Sequence, residues 1–565
     1  MEITPLNFFL NIQMEPSNCL KVENIDHLGL IAGIIDEIGL VEQINKLVGE
    51  HHQEKVSAGH AVKAMILNGL GFVSGALYMF PKYMTGKACE HLIGTGIKPE
   101  HLNDDRLGRV MDKLYVKGLN QIFTNVAISA AKKYKVEMKT SHLDSSSFHM
   151  HGKYETELPN VIIEKKVEGE IVESKATQPI NITYGYSRDH RPDLKQFILD
   201  LICSSDGDVP LFLKTASGNE SDRKVFAQIA VDFKEQINLD TLMVADSALY
   251  SAANIALMKD MKWLCRVPLT VGYAKQIISD LALGEFVNSE IDGYSFVVKT
   301  SNYGDVKQRW LIVESEQRLA SDIKQLEKQI LKAEKTQTKK LNQLLAEEFT
   351  CHKDAMKALS EFSKKLKYHE LTNTKIVNQS RKSLSKNNQS PAKNHHLCYC
   401  VQANLSPLKS IIESCRRSAG RFVLATNVLD ETALSNSEII SEYKAQQSCE
   451  RGFGFLKDPL FFTDTIFLKS PERIESLAMI MGLCLLVYTL AQRELRASLL
   501  LDKSTIKNNN GRLTNRPTLR WVFQCFQSIH LLIVHGNKQI SNLTDERLWI
   551  LKFFPPASRR YYLID

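Results

Sequence analysis

Three acids stand where carboxylates can do chemistry. Asp144 follows a β-type run in "SHLDSSSF" and Asp246 another in "VADSALYS", and the small residues after each leave space around it. Glu450 belongs to "SEYKAQQSCERGFGFLKDP", residues 441–459. In that stretch Tyr443, Gln446, Glu450 and Lys457 recur at offsets of three, four and seven, which on a helix confines them to an arc of roughly 60°. Aspartates at strand ends facing a glutamate on a helix make a pocket for hard divalent cations, since Mg²⁺ takes a few carboxylates together with water and substrate phosphate. Each piece also has a plainer reading. Asp144 can cap a turn through Ser145 to Ser147, Asp246 can cap the helix after it, and the stripe can be a solvated face.

The elements that must position these acids are read from the rest of the chain. At 565 residues it is too long for one compact core, so two to four domains are expected. Apolar residues make up 44% and charged residues 24%, which excludes a disordered chain. The net charge of +7 is compatible with a nucleic-acid partner where it clusters. Eleven scattered cysteines with no disulfide-like spacing, and no basic segment followed by an apolar signal core, predict a reducing cytoplasm. The apolar run Leu477–Ala491 is followed by Arg493, Glu494 and Arg496 and is shorter than a membrane span, so it is expected to be a buried core helix.

Helical periodicity dominates residues 1–137, with Ser57 and Asn103 as N-caps. This predicts a helical N-terminal domain suited to DNA binding, packing or dimerisation. From Lys139 short β-rich runs appear, first adjoining and then alternating with helices, which predicts an α/β fold with a mixed sheet. "KTSNYGDVKQRWLIV" reads as a hairpin turning near Gly304. Between about Ser315 and Tyr368 there is neither Gly nor Pro, and the apolar spacing predicts a long helix or helical hairpin. The polar, basic "NTKIVNQSRKSLSKNNQSPAKNHH" is expected to be a linker, and "TLRWVFQCFQSIHLLIV" a helix in the tail.

"HLDSS", "VADSALYS" and the Y443-x2-Q446-x3-E450-x6-K457 spacing resemble the DDE transposases of bacterial insertion sequences. More narrowly they are similar to the insertion sequence four group, with its Y-x2-R-x3-E-x6-K signature, and to its sixteen-thirty-four branch. "YGYSRDHRPDLKQ", "TASGNESD", "RFVLATN" and "ERGFGFLKDP" extend the resemblance from about Lys139 to Pro459. It implies an RNase H-like catalytic core interrupted by a β-rich plus helical insertion, with helical N-terminal and C-terminal regions. The corresponding boundaries are 1–137 for the N-terminal domain, 138–270 for the first part of the core, 271–417 for the insertion, 418–500 for the second part of the core and 501–565 for the C-terminal region. The resemblance further implies Asp144, Asp246 and Glu450 as catalytic metal ligands holding two Mg²⁺ ions, with Mn²⁺ as a substitute. Metal-dependent cleavage and strand transfer at the ends of an insertion sequence would follow. A nuclease of the same fold without strand transfer, or a catalytically dead DNA-binding derivative, are the alternatives.

Double-stranded DNA, as terminal inverted repeats and target, is the implied partner, with no membrane, a homodimer as the active form and a bacterial, nucleoid-associated cytoplasmic location. On the stripe, Tyr443, Gln446 and Lys457 would contact the DNA backbone. Gln446 departs from the signature arginine, exchanging a charged fork for a neutral amide. Trp310, in the inserted region, is the candidate for stacking on a flipped base, with core packing as its other reading. Arg188, His190 and Arg191 form a charged turn that suits either solvent or DNA. Cys398 and Cys400, with His395 and His396 before them, lack a second pair at zinc-finger spacing.

Overall fold

The computed structural model describes residues 20–50, 53–72, 77–152, 154, 164–167, 170–173, 178–237, 240–382, 395–459 and 468–563. It has a mixed α/β architecture and divides into two compact units, Met1–Trp263 with Glu442–Asp565, and Leu264–Ser441.

In the first unit, strand β1 (Thr140–Met150) is flanked by β2 (Lys195–Ser204), antiparallel to it, and by β4 (Leu242–Ala245), parallel to it. Strand β3 (Pro210–Ser217) pairs antiparallel with β2, giving the order β3-β2-β1-β4. All of β4 and most of β1 are buried, as expected of strands covered on both faces. Helix α1 (Gln447–Leu456) and the long helix α2 (Pro471–Leu501) belong to the same unit. Gly482 lets α2 approach closely, because a Cβ there would lie 2.3 Å from Leu213 on β3 and 3.0 Å from Phe123. The helix outruns the apolar stretch read from sequence. It is long and apolar enough by composition to cross a membrane, and 94% of its apolar window is buried within the protein.

Ser57 and Asn103 cap their helices by accepting from the backbone N–H of His60 and Arg106. The regions expected to be helical at the two ends also carry strands. Leu20–Asn24 pairs with His530–Val534, which pairs in turn with Asn537–Ser541, so both chain ends share a three-stranded sheet. The predicted tail helix stops at Cys525. Ser528 has a left-handed φ of 62°, and His535 and Gly536, at 48° and 83°, form the two-residue turn that joins right-twisted strands. The ends also pack through helices: Ser558 Oγ donates to Leu30 O, and Tyr562 donates its hydroxyl to Asp26 O.

In the second unit, residues 264–267, Arg421–Thr426, Val306–Ser315, Tyr294–Tyr303 and Val287–Asn288 run antiparallel in that order. The hairpin read around Gly304 is present, turning on Gly304 and Asp305 at φ of 63° and 60°. The Gly- and Pro-free stretch forms two helices, Glu316–Ala346 and His352–Lys364, which cover a small sheet through Leu341, Leu344 and Ala403. The expected linker is in part a strand. His369–Lys382 pairs with His395–Pro407, so its backbone is satisfied across the ladder despite its polar composition, and residues 383–394 lie outside the described residues.

Candidate active site

Backbone register brings the two aspartates together. In the parallel pair Leu143 lies opposite Ala245, so the next residues, Asp144 and Asp246, are neighbours at the end of β4. Adjacent strands lie about 4.8 Å apart. Asp246 also shapes its own turn, accepting from Ala248 N–H at 2.7 Å. It does not cap the following helix, whose N-cap is Ser251.

Glu450 stands on α1, near enough for its charge to act on Asp144. Ser448 Oγ lies 3.0 Å from His142 Nδ1, and Cys449 Sγ contacts His142 O at 3.0 Å, which fastens the first turn of α1 to β1 two residues before Asp144. Arg451 forks onto Asp208 with both nitrogen–oxygen distances at 2.7 Å. Gly452 faces Leu485 of α2, 3.2 Å from where a Cβ would sit, whereas Gly454 has nothing within 4 Å. Glu450 itself is exposed, while Asp144 and Asp246 are half-buried.

The electrostatics join the three acids. Burial pushes the Asp144 carboxyl up to about 7. The Arg188 guanidinium and the Ser145 N–H pull it down, and the charges of Asp246 and Glu450 push it further up. Arg188 Nη1 stands 3.4 Å from Asp144 Oδ1 and Nη2 donates to Ser145 Oγ at 2.6 Å. Three carboxylates suit a hard divalent cation in chemistry. In their present spacing, no group of three or more His, Cys, Asp or Glu among the described residues closes on an ion.

The stripe of the sequence reading spans two helical segments. The helix Asn436–Ala445 ends before Gln446, which occupies the turn ahead of α1, and Lys457 lies just past the end of α1. Tyr443 and Gln446 are half-buried. Lys457 Nζ donates to Asp189 at 2.6 Å and lies 5.4 Å from the centroid of the Phe148 ring. Trp310 is corrected outright. It is 1% exposed, and its indole N–H donates to Gln308 Oε1 at 3.0 Å, so it is core packing in its strand and offers no face to a base.

Sequence reading overlooked His142, Ser448 and Cys449 as the joint between β1 and α1, and Asp189 as the partner of Lys457. Nothing local sets them apart, since His142 in "KTSHLDSS", Asp189 in "YSRDHRPD" and Ser448 and Cys449 in "KAQQSCER" all sit in polar stretches. Among exposed aromatics, Tyr184 and Tyr186 stand 58% and 85% accessible on the segment leading to Arg188.

A family model described as a transposase DDE domain matches residues 138–488, more than half of the chain. A second, described as a domain of unknown function (DUF4277), matches residues 20–128. No curated protein matches at a significant level. Among solved structures, the chain is similar to a cryo-EM structure of the piggyBac transposase synaptic complex with hairpin DNA, at 7% identity and a TM-score of 0.35, over 95% of this chain and 82% of that one.

Proposed function

The chain belongs to the transposase DDE domain family, whose members are DNA transposases, and from that premise we propose that Asp144, Asp246 and Glu450 are its catalytic acids. The observation that carries this reading is the parallel register, which sets Asp144 beside Asp246 while α1 brings the charge of Glu450 to bear on the same carboxyl. Asp144, Asp246 and Glu450 would hold the divalent cations, Mg²⁺ by the hardness of the donors. When bound, such a pair activates the attacking oxygen and stabilises the leaving one in an in-line displacement at phosphorus. The chain's own part is placement. Strand register and the His142 joint hold the acids, and Asp189 holds Lys457 at the end of α1, beside the strand that carries Asp144.

The same reading takes 138–270 and 418–500 as two parts of an RNase H-like core, 271–417 as the insertion between them, and 1–137 and 501–565 as flanking regions. Its substrate is double-stranded DNA at the ends of an insertion sequence, cut and then joined to a target by a homodimer in the bacterial cytoplasm. The test has two steps. Duplex DNA carrying the element's terminal sequence is expected to be nicked in Mg²⁺ or Mn²⁺ and left intact with chelator. A precut end is expected to join to plasmid DNA. Nicking without joining would reduce the activity to that of a nuclease, and neither reaction would leave a DNA-binding protein.

A further inference from the structure

A guanidinium stands at Asp144. Strand β4 ends at Ala245, opposite Leu143, so past that point β1 runs on without β4 beside it. The segment 183–194 approaches there, and Arg188 reaches Asp144 and Ser145, consecutive residues of β1 that point to opposite faces.

The backbone around Arg188 is pinned. Gln196 Nε2 donates to Tyr186 O at 3.2 Å and to Gly218 O at 2.8 Å. Gly185 has no room for a side chain, since a Cβ would lie 1.9 Å from Gly218 O. Arg188 N–H donates to Ser147 Oγ at 3.3 Å, and Ser187 Oγ accepts from Arg191 N–H at 2.8 Å and lies 2.9 Å from His149 Nε2. Asp189 anchors the next position through Lys457 at 2.6 Å.

The grip of Arg188 on Asp144 is weak by comparison. At 3.4 Å it is a single, long contact, where a guanidinium and a carboxylate can form two short ones. Nη2 is held at 2.6 Å by Ser145 while Nη1 reaches Asp144 only at 3.4 Å, so the guanidinium can stay seated on β1 and still give up the carboxylate.

We propose that Arg188 is a positioning residue that shares Asp144 with the metal. Without a divalent cation its guanidinium offsets the Asp144 charge. When a cation is bound, like charges repel the guanidinium from Asp144 and its planar fork turns to a phosphate of the DNA beside the site. This rests on the reading of Asp144, Asp246 and Glu450 as metal ligands.

The test is calorimetric titration of the full-length, DNA-free protein with Mn²⁺, for wild type, Asp144→Asn, Arg188→Gln and Arg188→Lys. Binding of terminal-sequence duplex in Ca²⁺, which holds off cleavage, is measured alongside. Arg188→Gln is expected to bind Mn²⁺ about tenfold tighter, because a competing charge is gone, and to bind the duplex about tenfold more weakly with a shallower salt dependence. Arg188→Lys keeps the charge and loses the fork. Its Mn²⁺ affinity is expected to stay within about twofold of wild type while its DNA affinity falls. This variant also keeps the question open to measurement if Arg188→Gln folds poorly, as a thermal melt would reveal. Unchanged or weaker Mn²⁺ binding in Arg188→Gln, a tenfold gain in Arg188→Lys, or undiminished DNA binding in both variants overturns the proposal. If wild type and Asp144→Asn titrate alike, the metal reading itself fails. If Asp144→Asn loses Mn²⁺ while Arg188→Gln matches wild type, only the role of Arg188 fails.

Discussion

On the sheet side of the site, Asp144 and Asp246 are held by backbone hydrogen bonds. Leu143 pairs with Ala245, and a slip of one residue would turn every side chain of the strand to the other face. On the helix side, Glu450 depends on side chains alone: Ser448 and Cys449 on His142, Arg451 on Asp208, and Gly452 against Leu485. The first arrangement is cooperative with the whole sheet and rigid. The second is assembled from contacts between residues far apart in the chain, so it tolerates less change in any one of them. Precision in the sheet comes from the ladder, and precision in the helix comes from packing.

Substitutions separate the two kinds of support. The largest effect is expected from the acids themselves. Asp144→Asn, Asp246→Asn and Glu450→Gln should each reduce metal-dependent nicking to background while the thermal melt stays near wild type, since each change removes a charge and little volume. A variant that still cuts at the wild-type rate takes its residue out of the site.

A buried acid of α2 tests whether burial by itself moves a carboxyl as it does at Asp144. Burial pushes Glu475 up to about 7, opposed by hydrogen bonds from Ile180 N–H and the Thr215 hydroxyl. A folded value above the unfolded one means the folded state holds its proton more tightly. The contribution is therefore present in acid and is lost as pH rises from about 4.5 through 7. Glu475→Gln removes that loss, so its stability relative to wild type should rise between pH 4.5 and pH 8 by on the order of 2–3 kcal/mol in urea unfolding. A flat difference would show that burial does not set this group.

The two glycines of α1 separate packing from helix propensity. Gly452→Leu drives a side chain into Leu485 and is expected to cost about 1–3 kcal/mol and to slow nicking by shifting Glu450. Gly454→Ala enters open space and is expected to stabilise by up to about 1 kcal/mol. Equal effects at the two positions would mean that α1 is not held by its contact with α2.

The smallest effect is expected at Gln446. It is the half-buried N-cap residue of α1, one turn ahead of Glu450, so Gln446→Arg should tighten duplex binding in Ca²⁺ by no more than about threefold, in keeping with a charge still open to solvent. A gain far beyond that would restore the continuous stripe as a DNA-contacting face.

What was legible in the sequence was local. The β-type runs before Asp144 and Asp246, the caps at Ser57 and Asn103, the Gly304 hairpin and the apolar core helix each follow from residue types within a few positions of one another, and such short-range preferences act before any tertiary contact forms. Periodicity failed where a local rule met a distant partner. The regular spacing from Tyr443 to Lys457 continued across a break at Gln446, and the tail helix gave way at Ser528 to a strand that could pair with Leu20–Asn24, some five hundred residues earlier. It took long-range folding to set Asp144 beside Asp246, Lys457 on Asp189 and Arg188 on Asp144, and to bury Trp310. Residue types along the chain limited which side chains could take such parts. Which of them meet was set by sheet register and packing between segments remote in the chain, for which no spacing along the chain is a signal.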